Sequence, residues 1–173
     1  MDPRNSQEDE VFDVVDENDN VIGRAARGEV HRKSLLHRSV HILVFNAAGD
    51  LFLQKRAMTK DRNPGLWDSS AAGHVNSRED YFPGACRELR EELSIGASLR
   101  SAFKFKASAE TGWEHVAIYT CVTDQNIVCH PDEISEGRYW NIEEIRNALR
   151  ERPEQFTSTF RAIFNNYDIN KYK

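Results

Sequence analysis

The chain has 173 residues and a mass of 19.9 kDa, the size of one ordinary domain with short extensions. Hydrophobic residues make up 39% of the chain and charged residues 29%, so it can build a core and lacks the composition of a disordered protein. Its formal charge of −5 argues against a general nucleic-acid binder, which needs a basic face, and we expect no nucleic-acid partner.

Neither a membrane span nor a secretion signal is expected. The longest compact apolar run covers residues 42–45, well short of the roughly 20 residues that cross a bilayer. The first ten residues are polar and acidic, and they lack the basic and apolar regions of a signal peptide. The three cysteines, Cys86, Cys121 and Cys129, form no CxxC pair, which is typical of reduced thiols. We therefore predict a cytoplasmic protein without a membrane partner.

The predicted elements form one α/β (α+β) domain over residues 10–173, preceded by a flexible tail over residues 1–9. Strands are predicted where β-branched and aromatic residues cluster between turn residues, and helices where apolar residues recur with helical spacing. In chain order we expect strands at 11–15, 21–23, 39–45, 51–54, 103–108, 116–122 and 139–140, and helices at 79–93, 142–149 and 156–164.

A row of three glutamates in the first predicted helix carries the clearest chemical signal. Glu88, Glu91 and Glu92 stand at positions i, i+3 and i+4, which places three carboxylates on one helix face. Because like charges this close repel, a divalent hard cation such as Mg²⁺ or Mn²⁺ would offset their cost. A solvated acidic face, paired with Arg87 and Arg90, is the alternative for an isolated helix of this composition.

Eight residues in and around this row have fixed separations, namely Gly73, Glu79, Arg87, Glu88, Leu89, Glu91, Glu92 and Ile95. This pattern resembles the Nudix box. One position departs from it: Ser94 replaces the glycine that usually ends the box helix in a left-handed conformation, and Gly96 is the nearest residue to take over that turn.

The resemblance extends over residues 11–149 and points to a branch of uncharacterised Nudix hydrolases closely similar to type I isopentenyl-diphosphate isomerase. It implies a Nudix fold, in which a mixed β-sheet is sandwiched between α-helices, and a homodimer is a reasonable expectation for this fold class. The further matching stretches are 36–38, 40–45, 55–56, Lys60, 64–68 and 72–74.

Two differences favour hydrolysis over isomerisation. The isomerase uses a cysteine immediately before the glycine-histidine pair, and this chain has Ala72 there, whose methyl group cannot shuttle a proton. The isomerase also usually loses part of the arginine–glutamate core, which is complete here. A non-catalytic nucleotide-binding module is a third possibility, although such modules typically lose box glutamates.

The resemblance implies a role for each box residue. Glu88, Glu91 and Glu92 would ligate one to three divalent cations, and the carbonyl of Gly73 would add a ligand. Arg87 would orient the carboxylates. The cations would neutralise the diphosphate oxygens and activate water for in-line attack on phosphorus.

Four further groups of residues have open roles. The general base is either Glu91 or Glu92 in the box or Glu133 or Glu136 in a later loop, and Glu79 either supports a loop or binds a further metal. Arg56 and Lys60 match positions that hold the substrate diphosphate in the isomerase. His31, His37 and His74 lie near its metal-binding positions, where they form either a second metal site or ordinary hydrogen bonds.

The substrate is a small diphosphate whose identity the sequence does not determine. Nucleoside triphosphates, nucleotide sugars, dinucleotide cofactors, thiamine diphosphate and prenyl diphosphates are all open. Four residues after the box either stack on a nucleobase or pack in the core, namely Phe103, Phe105, Trp113 and His115.

Overall fold

The computed structural model describes residues 10–167, so the predicted flexible tail at residues 1–9 lies outside the described residues. The strands are β1 (Val11–Val15), β2 (Val21–Ala26), β3 (His37–Phe45), β4 (Leu51–Arg56), β5 (Trp67–Asp68), β6 (Ala71–His74), β7 (Arg100–Phe105), β8 (Glu114–Val122) and β9 (Ile134–Trp140). The helices are α1 (Arg27–Lys33), α2 (Tyr81–Leu93), α3 (Ile142–Glu151) and α4 (Ser158–Asn166), with a 3₁₀ turn at Pro153–Gln155.

Strand β3 organises the main sheet. It pairs in parallel with β8 along its whole length, and antiparallel with β6 and with the start of β4. Strand β4 in turn pairs with β5 and β9, while β7 lies outside β8, which gives seven strands in a mixed sheet. Strands β1 and β2 form a separate antiparallel pair.

The two faces of β3 support two hydrophobic layers, as the period of two in a strand requires. One face packs Val40, Ile42 and Val44 against α2. The other packs Leu43 and Phe45 among apolar residues of α3 and α4. The predicted mixed sheet between helices is therefore confirmed, and each fully buried aliphatic side chain contributes about 1.5–3 kcal/mol of transfer free energy.

Helix α2 places the glutamates at the edge of a core layer. Ala85, Leu89 and Leu93 are fully buried and form a stripe of residues spaced by four. Glu88 and Glu92 lie beside this stripe and are drawn below the protein surface with it. The helix begins two residues later than predicted, after the extended residue Asp80.

Ser94 itself adopts the left-handed conformation that ends α2, with φ of 56°. Its backbone N–H donates to the carbonyl oxygen of Arg90 at 3.0 Å. The expectation that Gly96 takes over the turn is therefore wrong. The last carbonyl groups of a helix need hydrogen-bond donors from outside it, and the N–H of Ser94 supplies one here. A residue with a Cβ atom pays a steric energy for this left-handed conformation.

Changing Ser94 to Gly is expected to stabilise the protein by about 0.5–1 kcal/mol, because glycine adopts a positive φ without a Cβ penalty. The midpoint temperature of thermal unfolding should rise by about 2 °C in a chain of this length. Changing Gly96 to Ala, where an added Cβ would have nothing within 4 Å, is the matched control for altered glycine content. A Ser94→Gly variant less stable than wild type would contradict the expectation.

Several elements differ from the predictions. Helix α1 was not predicted; its N-terminus has no side-chain cap, and it buries only Arg27 and Val30. Strand β7 lies at Arg100–Phe105 and not at residues 103–108, because Ser108 belongs to a tight loop in which it bonds to Thr111. Strands β2, β4 and β9 each extend beyond their predicted bounds. Among residues 10–167, no helix is both long and apolar enough to cross a bilayer.

Candidate functional site

A single cavity of about 440 Å³ brings most of the predicted site residues together. It opens between the end of β6, helix α2, the loop after β4 and the loop before β9. Eight of the predicted site residues line it: Arg56, Lys60, Gly73, Arg87, Glu88, Glu91, Glu92 and Glu133. Glu79 does not line it.

The carboxylate of Glu88 packs directly against the backbone of Gly73. A Cβ atom at position 73 would lie 2.1 Å from Cδ of Glu88, so only glycine leaves room for this carboxylate. Arg87 donates from Nη1 to Oε1 of Glu88 at 2.6 Å. Burial nevertheless raises the pKa of Glu88 to about 7, against the opposing effect of Arg87, so a positive charge is still missing here.

Glu92 is held through one of its two oxygens. Its Oε2 accepts hydrogen bonds from the side-chain amide of Gln54 at 2.7 Å and from the backbone N–H of Ala72 at 3.1 Å. The described residues offer no hydrogen bond to Oε1. Burial and the neighbouring Glu88 raise the pKa of Glu92 well above its ordinary value. The arrangement therefore leaves one fixed carboxylate oxygen available for a cation.

Arg87 connects three of the carboxylates. It donates from Nε and Nη2 to the two oxygens of Glu79 at 3.0 and 2.9 Å, and from Nη1 to Glu91 at 3.1 Å. Its Nη2 also reaches the carbonyl oxygen of His74 at 2.9 Å. Burial alone would lower the pKa of Arg87, but the carboxylates raise it, so the guanidinium stays charged.

Glu79 has the contacts of a supporting residue. Besides Arg87, it accepts a hydrogen bond from the backbone N–H of Asn76 at 2.9 Å. Burial would raise the pKa of Glu79, but these hydrogen bonds together hold it below the ordinary value. Its part in a further metal site stays a prediction, and the observed contacts favour the alternative that it supports the loop before α2.

A second cluster of possible ligands reaches the same cavity through His74 and Glu114. His31, His37, His74 and Glu114 each present a ligand atom, and these atoms all lie within 4.8 Å of one another. His74 Nε2 lies 3.3 Å from both His31 Nε2 and Glu114 Oε1. Glu114 was not predicted: it lies directly opposite His37 across β3 and β8, a proximity that only strand pairing creates.

The charges of this cluster suit a cation. Burial, followed by the neighbouring His74 and Arg27, lowers the pKa of His31 to about 4, and burial also lowers the pKa of His74. Burial would raise the pKa of Glu114, but His37 and His74 hold it well below its ordinary range. Neutral imidazoles beside a carboxylate are good ligands for a transition metal.

His37 is the most informative member of the cluster. Its Nδ1 lies 2.8 Å from the carbonyl oxygen of Leu35, which fixes the ring with the proton on Nδ1. Its Nε2 is buried and lies 3.5 Å from Oε1 of Glu114, but it makes no hydrogen bond within the described residues. The Phe12 ring stacks on His37 and His74 at centroid distances of 5.8 and 4.6 Å and closes the cluster from one side. An orphaned lone pair in such a position fits a metal ligand.

The cationic wall of the cavity is wider than predicted. Lys60 Nζ donates to Oε2 of Glu133 at 2.5 Å, so these two predicted residues form an ion pair. Arg56 lies 3.9 Å from the carboxylate of Asp68. Two more arginines line the cavity: Arg62, and the buried Arg27, which pairs with Glu10 and Asp61.

The remaining candidate residues lie off the cavity. Phe103 and Phe105 pack against the core layer that α3 and α4 cover. His115 is buried, and its Nε2 lies 3.0 Å from the carbonyl oxygen of Asp16. Trp113 is 43% exposed, and it does not line the cavity. Glu136 lies 3.9 Å from Lys55 on the outer surface of β9.

Comparisons with known proteins agree with this geometry. The family model described as the NUDIX domain matches residues 35–160. A protein named isopentenyl-diphosphate Delta-isomerase 2, from Photorhabdus laumondii, is 34% identical over 164 residues, or 91% of this chain and 92% of the relative. A protein named as an uncharacterized Nudix hydrolase, from Pseudomonas aeruginosa, is 36% identical over 137 residues, or 79% of this chain and 81% of the relative.

A solved structure has the same fold. DR0079 from Deinococcus radiodurans superposes with a TM-score of 0.74 at 27% identity, covering 83% of this chain and 90% of its own. The match to the family model includes the whole carboxylate site, from Gly73 to Glu92, and well over half of the chain. On the strength of this match, the chain belongs to the NUDIX domain family.

Proposed function

We propose that the protein is a metal-dependent Nudix hydrolase that cleaves the diphosphate bond of a small substrate, such as a nucleoside diphosphate linked to another moiety. The observation that carries this proposal is the placement of Glu88 and Glu92. Their buried carboxylates lack a full complement of positive charge and share one cavity with Arg56 and Lys60. Because the cavity contains both carboxylates and cationic side chains, it suits a cation bound together with an anionic substrate better than it suits either one alone.

The carboxylate cluster fits Mg²⁺ or Mn²⁺. Its donors are oxygens: Oε1 of Glu92, the carboxylates of Glu88 and Glu91, and the backbone carbonyl of Gly73. A divalent cation supplies Lewis-acid chemistry at this position, neutralising diphosphate charge and activating water. Gln54 holds Glu92 in place by a hydrogen bond, and Arg87 holds Glu88. These contacts reduce the movement of the carboxylates that cation binding requires.

Lys60 and Arg56 bind the diphosphate in this mechanism. The Lys60 side chain is only 10% exposed and is paired with Glu133, so a phosphate that takes this ammonium group would compete with that carboxylate. Glu133, which lines the cavity, would then lose this ion pair. The proton of the attacking water is accepted either by Glu133 or by a box glutamate, Glu91 or Glu92. Glu133 can act as this base only after phosphate has replaced it at Lys60.

The cluster of His31, His37, His74 and Glu114 would hold a second cation. Its imidazole donors suit a transition metal better than Mg²⁺. The orphaned Nε2 of His37 is the observation that favours a ligand there over ordinary hydrogen bonding. Two of its members, His74 and Glu114, line the same cavity as the carboxylates, so a diphosphate there could contact both clusters.

A screen of diphosphate compounds with Mg²⁺ and with Mn²⁺ tests the proposed function. The panel includes nucleoside triphosphates, nucleotide sugars, dinucleotide cofactors, thiamine diphosphate and prenyl diphosphates, with release of phosphate or a monophosphate as the readout. Metal-dependent release from at least one class supports the hydrolase. Metal-dependent binding without any release would instead support a nucleotide-binding module.

Isopentenyl-diphosphate isomerase is the second candidate, favoured by the histidine cluster and by the relative at 34% identity. Ala72 argues against it. A proton shuttle needs a group that gains and loses a proton on each side of the substrate, and this cavity lacks the thiol.

Changing Ala72 to Cys is therefore expected to create no isomerase. We expect no dimethylallyl diphosphate from isopentenyl diphosphate above the wild-type level, as measured by proton NMR, with Ala72→Ser as the control of equal size. Clear formation of the isomer by the cysteine variant alone would reverse the ranking of the two candidates.

A further inference from the structure

The floor of the cavity contains two polar side chains that the mechanism above does not use. Ser39 and His41 lie two residues apart on β3 and therefore point to the same face as His37. They are 2% and 5% exposed, and both line the cavity. Across the sheet, Ser39 pairs with His74 of the histidine cluster, and His41 pairs with Ala72, whose backbone N–H donates to Glu92 of the carboxylate cluster.

The hydroxyl group of Ser39 is buried and makes no hydrogen bond within the described residues. A buried hydroxyl without a partner loses the hydrogen bonds it made to water in the unfolded chain, which costs about 1–3 kcal/mol. Such a group in a cavity wall points to a ligand or an ordered water as its missing partner.

His41 is oriented by a buried serine. Its Nδ1 lies 2.8 Å from the hydroxyl oxygen of Ser69, which is fully buried. The carboxylate of Asp68, at 3.7 Å from the same nitrogen, is too far for a hydrogen bond. If His41 donated from Nδ1, the hydroxyl hydrogen of Ser69 would have no acceptor among the described residues. The network is satisfied when Ser69 donates to Nδ1, which places the proton of neutral His41 on Nε2.

The surroundings keep this ring neutral. Burial, and to a smaller extent Arg56, lower the pKa of His41, against the opposing effects of Asp68 and Glu114. The ring therefore offers a hydrogen-bond donor without bringing a charge into the cavity. Ser39 offers a second uncharged donor on the same strand face.

We propose that the Ser39 hydroxyl and the Nε2–H group of His41 bind the non-bridging oxygens of the diphosphate. This subsite shares the cavity with both candidate metal clusters, and its assignment rests on the proposed function. Uncharged donors suit it because the cations and the arginine–lysine wall already supply positive charge to the cavity. They add direction to the binding of the diphosphate.

Binding of methylenediphosphonate, a diphosphate analogue with an uncleavable P–C–P bridge, tests the proposal by calorimetry in the presence of Mg²⁺. Changing Ser39 to Ala should weaken binding about 3- to 10-fold, the size expected for one neutral hydrogen bond. Changing His41 to Leu should weaken it by at least as much, and His41→Gln, which keeps an uncharged N–H donor, should recover part of the loss. Thr120→Val removes a buried hydroxyl outside the cavity and should leave binding unchanged.

The imidazole NMR signals of His41 distinguish ligand binding from a purely structural role, because a structural residue would show no shift when the ligand is added. Two-dimensional ¹H–¹⁵N NMR of the metal-free protein should show the proton on Nε2, and its signal should shift when methylenediphosphonate is added to the Mg²⁺-loaded protein. A proton on Nδ1, or binding by Ser39→Ala within twofold of wild type, overturns the proposal. If the leucine variant does not fold, the serine variant and the spectrum decide. Absence of hydrolysis by the wild type would overturn the proposed function and leave the binding result standing.

Discussion

Changing Glu92 to Gln is expected to lower metal-dependent turnover by about 10²–10³-fold while leaving the fold intact. The amide has the shape of the carboxylate, and its oxygen can still accept from Gln54 and from the backbone N–H of Ala72. What it loses is the negative charge at the second oxygen, where a cation would bind. Steady-state hydrolysis of a substrate found in the screen, over a range of Mg²⁺ concentrations, measures the effect. Near-normal turnover would refute the assignment of the site.

The same substitution should stabilise the metal-free protein. Burial raises the pKa of Glu92 above its ordinary value of 4.5, so its favourable contribution to stability is present below that pH and is lost as the pH rises through the raised pKa of the folded state. At pH 8 the charged, buried carboxylate therefore opposes folding, and the uncharged amide does not.

We expect urea unfolding at pH 8, with chelator present, to show Glu92→Gln more stable than wild type by about 1–3 kcal/mol. The gain should shrink toward pH 4, where wild-type Glu92 carries its proton. Glu91→Gln is the comparison on the same helix: that side chain is 59% exposed, and its change should alter stability by less than about 0.5 kcal/mol. Loss of both activity and stability in the Glu92 variant would point to a structural role instead.

The part of the site that could be predicted from the sequence is the part that one helix determines. Glu88, Glu91 and Glu92 are neighbours on α2 because of helical spacing, and their local sequence contains the motif. Arg87 belongs to the same motif, and its contacts with Glu88 and Glu91 follow from the same geometry. Such short-range relations need no knowledge of the rest of the fold.

The part that could not be predicted depends on strand pairing. Gln54 reaches Glu92 from β4, a separation of 38 residues, and Glu114 meets His37 only because β8 lies parallel to β3. Parallel pairing between strands so far apart leaves no periodic signal in the sequence. Ser39 and His41 were recognised as strand residues, but which face of that strand lines a cavity is a property of the packed sheet.

The conformation at the end of α2 could not be predicted from the sequence either. At the end of α2 the nearest glycine is the natural expectation for a left-handed residue, yet Ser94 takes that conformation. The end of a helix depends on which residues beyond it pack in the core. Ile95, which follows Ser94 directly, is 2% exposed and packs in the core layer. Because Ile95 is packed there, the chain must turn before it, at Ser94 and not at Gly96.

Changing Gly73 to Ala is expected to weaken Mn²⁺ binding by about 10- to 100-fold and to lower turnover accordingly. The added Cβ would lie 2.1 Å from Cδ and 2.2 Å from Oε1 of Glu88, far below any real contact distance, so the carboxylate must leave its position. The backbone at residue 73 does not have a positive φ, and alanine therefore introduces no strain of its own. The fold should survive, because the displaced group is the end of a side chain.

A double-mutant cycle separates this explanation from a general effect of the extra methyl group. If Gly73 acts by making room for Glu88, the Gly73→Ala change should add little to the loss already caused by Glu88→Ala. The carbonyl of residue 73 is present in every variant, so its contribution as a ligand stays constant through the cycle. Additive losses would mean that the methyl group disturbs the site by another route, whereas a Gly73→Ala protein with wild-type Mn²⁺ affinity would show that Glu88 is not a ligand in the position it occupies here.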